Sequence, residues 1–188
     1  NAKRREFVRI NLEICFPELS EGERDELLAR HFRVLGRTLL DYPMVWRGRA
    51  PELADIEGEE HLAAARAAGH AVILLTGHGL ALDIAGLALA RHFPMATMAH
   101  RSHDPVFDHL THEARARAGR VYRRGEGMRA IVRSMREGYA FYYMPDEDLK
   151  REHQVFAPFF GVPKATLPAP GRLARLANAV VIPCYGYW

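Results

Sequence analysis

Five consecutive apolar residues, "AVILL" at positions 71–75, run straight into "TGHGLALD". A run apolar on both faces suits a strand buried inside a parallel sheet, where helices cover both sides. The run is followed by His78 and, five positions later, by Asp83. In open α/β sheets, ligands sit beyond the carboxyl ends of the strands. One buried strand therefore carries an imidazole and a carboxylate towards the edge where such folds do chemistry.

The rest of the chain supplies the layers that this strand requires. Residues 1–16 are basic and apolar, closed by Pro17. "SEGE", from Ser20 to Glu23, is a capping box opening an amphipathic helix with Leu27, Leu28, Phe32, Leu35, Leu39 and Leu40, which Pro43 is expected to break. A second helix spans about Glu59 to Ala68 and stops at Gly69, just before the apolar run. Helical pattern resumes from about Leu80 to Arg91, and a short strand fits Met95 to Ala99.

Asp104 and Pro105 form an N-cap and first-turn pair for a helix reaching Ala118 and ending at Gly119. A helix near Met128–Glu137 feeds the strand "AFYYMP", and one near Arg172–Ala177 feeds "AVVIPCYGYW". The proline-rich stretch from Pro158 to Pro170 reads as a loop. Strands alternating with helices predict an α/β fold with a mostly parallel central sheet flanked by helices, in one domain over residues 1–188.

Composition narrows the function classes. Hydrophobic residues make up 48% and charged residues 26%, ordinary for a globular chain. Net charge is +3, which suits phosphates, anionic membrane surfaces or an acidic carrier protein. There is no nucleic-acid motif and no concentrated basic run, so no nucleic-acid partner is expected. Cys15 and Cys184 match no metal or redox spacing. His109 and His112 are three apart on a predicted helix, with His100 and His103 before it. Zinc needs three or four converging ligands, and exposed polar residues are the preferred reading; no metal and no cofactor are expected.

Inside a single helix, five residues would set His78 and Asp83 about 140° apart, so they could not face each other. They can meet if His78 lies in the turn and Asp83 in the first helical turn. The carboxylate would then accept from Nδ1–H and leave Nε2 as a general base. The helix N-terminus would favour the ionised carboxylate and disfavour imidazolium. This is a base and its orienter without a protein nucleophile, so the nucleophile would be a hydroxyl or amine on the substrate.

"TGHGLALD" looks like the H-x4-D/E block of the lysophospholipid-type acyltransferases, whose fold is glycerolipid-acyltransferase-like. The order of the remaining blocks is more specific. "RINLEICFPELSEGERDELLARHFRVLG", "HRSHDPVFDHLTHEARARAG", "GMRAIVRSMREGYAFYYMPDEDL", "VFAPFFGVPKAT" and "LANAVVIPCYGY" together resemble the lipid A biosynthesis (late) acyltransferases of Gram-negative bacteria. In that family an N-terminal membrane anchor precedes the first of these blocks. The resemblance implies a fragment lacking that anchor and a C-terminal part.

The resemblance also implies transfer of a fatty acyl chain from acyl carrier protein, or acyl-coenzyme A, to a hydroxyl of a lipid A precursor. The place implied is the cytoplasmic face of the inner membrane, with the basic N-terminal segment and the aromatic loop resting on it. His78 would act as the base, Asp83 as its orienter and Arg115 as the active-site arginine. Asp146 and Asp148 would orient Arg115 or organise the loop beneath the substrate. Arg101, in a block that departs from the family pattern, would contact substrate, and Phe159 and Phe160 would border the acyl channel or membrane. The alternatives are a relative acting on another glycolipid, such as a mannosylated phosphatidylinositol, and a non-catalytic lipid-binding relative.

Overall fold

The computed structural model describes residues 2–123, 127–146 and 154–187. Five strands form one sheet: β1 (Ala71–Leu75), β2 (Met95–Ala99), β3 (Gly119–Arg123), β4 (Ala140–Tyr143) and β7 (Ala179–Pro183). Their order is β3-β2-β4-β1-β7, and every pairing is parallel. The α/β architecture with a parallel central sheet is therefore as expected, and β1 lies between two neighbours.

The pleat sorts the side chains into two cores. Ile73, Phe141 and Tyr143 point to one face, where they meet Ile131 and Met135 of α6 (Met128–Arg136) and Leu173 and Ala177 of α7 (Ala169–Ala177). Val72, Leu74, Ala140 and Tyr142 point to the other face, packing with Leu62 of α3 (Glu59–Ala67) and Leu82 and Leu89 of α4 (Leu82–Leu89). Alternate residues fill opposite cores, so a strand buried on both faces has no polar position. A third cluster seats α4 against α2 (Glu21–Trp46) and α5 (Pro105–Ala118) through Val45, Ile84 and Ala114. Helix α1 (Ala2–Cys15) packs on α2 and buries no residue fully.

Several local expectations hold and several are corrected. The capping box forms: Ser20 Oγ accepts from Glu23 N–H, and Glu23 accepts from Ser20 N–H at 2.8 Å. Pro43, however, does not end α2, which continues to Trp46. It lies in the last turn, where its missing N–H costs one hydrogen bond while its carbonyl still accepts from Arg47 at 3.2 Å. Strand β3 follows α5 directly, where only a helix stop was expected. A side chain at Gly119 would come within 2.2 Å of the Met95 carbonyl, so this glycine permits the close approach of β3 to β2.

The proline-rich stretch is also not a plain loop. It overlaps an antiparallel hairpin of β5 (Val155–Phe159) and β6 (Val162–Thr166), followed by α7. Phe160 and Gly161 both have positive φ, 49° and 76°, as a two-residue turn of the hairpin-favouring type needs. Phe159 and Val162 flank that turn as the hydrogen-bonded pair. The next pair, Pro158 opposite Pro163, falls at a non-hydrogen-bonded position. Both prolines therefore sit where the ladder asks for no N–H.

Candidate active site

All five strands of the sheet run the same way, so their carboxyl ends lie along one edge, and the candidate residues gather there. His78 follows β1, Asp146 follows β4, Arg101 follows β2, and Asp83 opens α4. Thr76 N–H donates to the Tyr143 carbonyl at 3.0 Å, extending the β1–β4 pairing one step and bringing the two following loops together.

The carboxylate on His78 is Asp146. Its Oδ1 lies 2.6 Å from Nδ1 of the ring, and its Oδ2 accepts the backbone N–H of His78 at 2.8 Å. One carboxylate thus holds both the ring and the loop that carries it. Gly77 fits this arrangement, because a Cβ there would stand only 3.4 Å from Asp146 Oδ2. Burial works to raise the Asp146 pKa, but the backbone and side-chain hydrogen bonds from His78 outweigh it, and the carboxyl is held below its ordinary range. An ionised Asp146 accepts only, which assigns the Nδ1 proton to His78 and the lone pair to Nε2. Lys164, on the hairpin, donates to the Asp146 carbonyl at 2.7 Å and ties that element to the site.

Asp83 does not orient His78. Its Oδ1 accepts from Arg115 Nε at 2.7 Å, with Arg115 Nη2 at the same distance, and its Oδ2 accepts from Tyr42 Oη at 2.9 Å. The Arg115 and Asp83 side chains are 25% and 11% exposed, so this ion pair is largely withdrawn from water. The two carboxylates have thus exchanged the partners expected of them: Asp146 takes His78, and Asp83 takes Arg115. Opening α4 keeps Asp83 beside the N-terminal amides and aims it across at α2 and α5, away from the loop of His78. Asp148 lies outside the described residues.

Tyr42 is a site residue that sequence reasoning missed. It sits one position before Pro43 near the end of α2, and its ring packs against Trp46 and Phe107 at 5.7 and 4.9 Å. Burial first, and then the neighbouring Asp83 charge, push its phenol far above the ordinary tyrosine range, so it stays a donor. Only tertiary packing brings it 41 residues back to Asp83, and no local pattern signals it. Tyr42→Phe is expected to cost about 1–2 kcal/mol of stability by leaving Asp83 Oδ2 unpaired, as urea denaturation would measure.

Two cavities bracket the Asp83–Arg115 pair. A narrow apolar crevice between α4, β2 and β3 is lined by Leu82, Gly86, Leu87 and Met95. On the other side, Arg115 lines a polar cavity together with Arg101. A larger cleft of about 550 Å³ runs along the α4 face formed by Ala81, Ile84, Ala85 and Ala88, opposite Ile182 and Gly186. It begins beside the His78 loop, for a Cβ on Gly79 would lie 4.0 Å from the Gly186 carbonyl. Among the described residues, no helix is long and apolar enough to cross a membrane.

Phe159 ends β5, and Phe160 is the first residue of the turn into β6. They are half-exposed on the hairpin, where Phe160 meets Phe16 beyond the end of α1 at 5.4 Å between ring centres. Phe7, Ile10 and Ile14 of α1 and Phe156 and Val162 of the hairpin are also exposed. Cys184, just after β7, has its thiol pushed up to about 11 by burial, so it stays protonated near neutral pH.

A parallel α/β domain thus carries, at the carboxyl edge of its central strands, a histidine held by a carboxylate, a geometry in which an imidazole can accept a proton. The chain belongs to the bacterial lipid A biosynthesis acyltransferase family, whose sequence pattern matches residues 1–188. It is 37% identical over 181 residues to the lipid A biosynthesis myristoyltransferase of Escherichia coli (strain K12), covering 94% of this chain and 56% of that protein. It is 33% identical over 188 residues to a lipid A biosynthesis acyltransferase of Haemophilus influenzae, covering 97% and 59%. The E. coli lipid A biosynthesis lauroyltransferase shares 27% identity over 185 residues, covering 96% and 60%. The chain therefore spans somewhat over half the length of the curated relatives it matches.

Proposed function

We propose that the protein transfers a fatty acyl chain from a thioester, on acyl carrier protein or coenzyme A, to a hydroxyl of a lipid A precursor. The observation that carries this reading is the His78–Asp146 pair at the carboxyl edge of the parallel sheet, in a chain of this family. His78 Nε2 takes the proton from the acceptor hydroxyl as that oxygen attacks the thioester carbonyl. The tetrahedral intermediate collapses, the carbon–sulfur bond breaks, and the imidazolium returns its proton to the departing thiolate. The products are an ester and a free thiol, and no acyl-enzyme forms.

Asp146 is the orienter in this scheme, holding the tautomer and stabilising the imidazolium that forms. Arg115 uses Nε and one Nη2 hydrogen on Asp83, and its remaining N–H groups are donors for the negative charge developing on the substrate. The cleft along α4 has the volume of an ordinary ligand site and an apolar wall suited to an acyl chain.

The exposed apolar side chains of α1 and the hairpin, beside Lys3, Arg4, Arg5 and Arg9, form a surface for the anionic inner face of the membrane that supplies the acceptor.

The reading is tested with the purified full-length protein, an acyl thioester and a phosphorylated, acylated disaccharide. Transfer of the acyl group to a hydroxyl supports it; lipid binding without any transfer overturns it. Asp146→Asn is expected to lower kcat with KM little changed, because the amide can present an N–H to Nδ1 and favour the wrong tautomer. A variant with wild-type kcat would remove Asp146 from the mechanism. The sign of the pH effect follows from the lowered pKa. The Asp146 contribution is complete above about 3.9, the ordinary aspartate value, and is lost as pH falls through the lower folded value. Asp146→Asn removes that acid transition.

A further inference from the structure

Three segments of the chain carry the site: β1 leads to His78, β4 leads to Asp146, and α4 opens on Leu82 and Asp83. One buried side chain joins all three. Tyr142 lies on β4, four positions before Asp146, and is only 6% exposed. Its Oη donates to the carbonyl of Leu82, the residue before Asp83, at 3.2 Å. The Thr76 hydroxyl is also buried, two positions before His78, and shares a side-chain hydrogen bond with the same phenol. At the backbone of the residue, Thr97 Oγ1 donates to the Tyr142 carbonyl at 3.1 Å and ties it to β2.

The packing around the ring is equally specific. A Cβ on Gly86, one turn along α4, would come within 3.0 Å of Tyr142 Cε1, so this glycine lets α4 lie directly on the ring. Leu82, Asp83, Gly86, Arg115 and Tyr142 line the same narrow crevice. Burial pushes the phenol far above the ordinary tyrosine range, so it keeps its proton and remains a donor at neutral pH. Packing alone asks for no hydroxyl here, since Phe141, its neighbour on β4, fills the opposite core without one.

We infer that Tyr142 is a positioning residue for acyl transfer, its hydroxyl setting the Asp83–Arg115 pair at a fixed separation from the His78–Asp146 pair. Asp146 holds His78, Asp83 holds Arg115, and the phenol bridges the two segments that carry these carboxylates. His78 acts on the attacking hydroxyl and Arg115 on the negative charge that develops, so both must meet one substrate together. Without the hydroxyl, the first turn of α4 loses its tie to β4. A displacement of about 1 Å at a reacting group can cost about 10²-fold in rate. This inference rests on the acyl-transfer reading above.

The test measures transfer from an acyl thioester to a phosphorylated, acylated disaccharide by the full-length protein. Tyr142→Phe keeps the ring and with it the core packing, and is expected to lower kcat roughly 10–100-fold with KM for the acceptor little changed. Thr76→Val removes the hydroxyl at the other end of the bridge at equal size, and is expected to cost about threefold in kcat. Urea unfolding gives the folded fraction of each variant.

The deciding comparison repeats Tyr142→Phe in a protein already carrying Asp83→Asn and Arg115→Met, where no charge is left to position. There it is expected to cost less than about threefold in kcat. The same fold-loss in both backgrounds, or a loss that matches only the unfolded fraction, makes Tyr142 a structural residue and overturns the inference. A raised KM with kcat intact also overturns it, because the hydroxyl would then serve acceptor binding. If wild-type protein transfers no acyl group, the functional reading falls, and the bridge is judged by nuclear magnetic resonance of the Arg115 Nε–H. Solvent exchange about tenfold faster in Tyr142→Phe than in wild type supports it, and equal exchange overturns it.

Discussion

His78→Ala is expected to lower acyl transfer by about 10³-fold in kcat while the protein keeps its fold and still binds its acceptor. The magnitude follows from what a positioned general base supplies, typically 10²–10⁴-fold. The middle of that range, rather than its lower end, is expected because proton removal from a hydroxyl and proton return to the thiolate both pass through Nε2. His78 lies in a loop with its side chain 43% exposed, so its removal leaves no core cavity. The informative measurement is single-turnover transfer at saturating acceptor, with circular dichroism as the control for folding. Turnover within tenfold of wild type would exclude His78 as the base. Comparison with Asp146→Asn then separates the base from its orienter, since the asparagine variant retains an imidazole and is expected to be the more active of the two.

Asp83→Asn is expected to destabilise the protein by about 3 kcal/mol. Asp83 and Arg115 are both largely buried, and removing the negative partner leaves a guanidinium without its counter-charge. Breaking a buried pair from one side costs about 3–5 kcal/mol, and the lower end applies because Arg115 keeps some access to water. For a domain of this size that corresponds to a fall in Tm of roughly 6–12 °C. The double variant Asp83→Asn with Arg115→Met is expected to lose less than the sum of its single changes, because neither partner is then left charged and buried. Additive losses in thermal or urea unfolding would show that the pair contributes no coupling. Activity should fall in both single variants, since Arg115 positions its remaining donors through Asp83.

Much of this architecture was legible in the residues. "AVILL" reads as a doubly buried strand because no polar residue interrupts either face, and in the structure its alternate side chains fill two separate cores. The capping box at Ser20 was readable for a local reason, since both of its hydrogen bonds join residues three apart. The hairpin was not readable from the prolines. Whether a missing N–H matters depends on the position in a ladder, and that position exists only once Val155–Phe159 faces Val162–Thr166. Strand β3 was hidden too: with Arg120 and Arg123 in five residues it looks polar, and its place beside β2 is possible because residue 119 lacks a side chain.

The site divides in the same manner. The sequence alone placed His78 at the end of a buried strand, Asp146 at the end of another and Asp83 at the start of a helix, because periodicity and breakers are local properties. Which carboxylate meets which cation is not local. Parallel pairing of β1 with β4 sets Asp146, 68 positions away, against the ring of His78. Packing of α2 and α5 against α4 gives Asp83 to Tyr42 and Arg115 instead. Hydrogen bonds act over about 3 Å, so partners are chosen by how strands and helices are stacked, and spacing along the chain can only propose them.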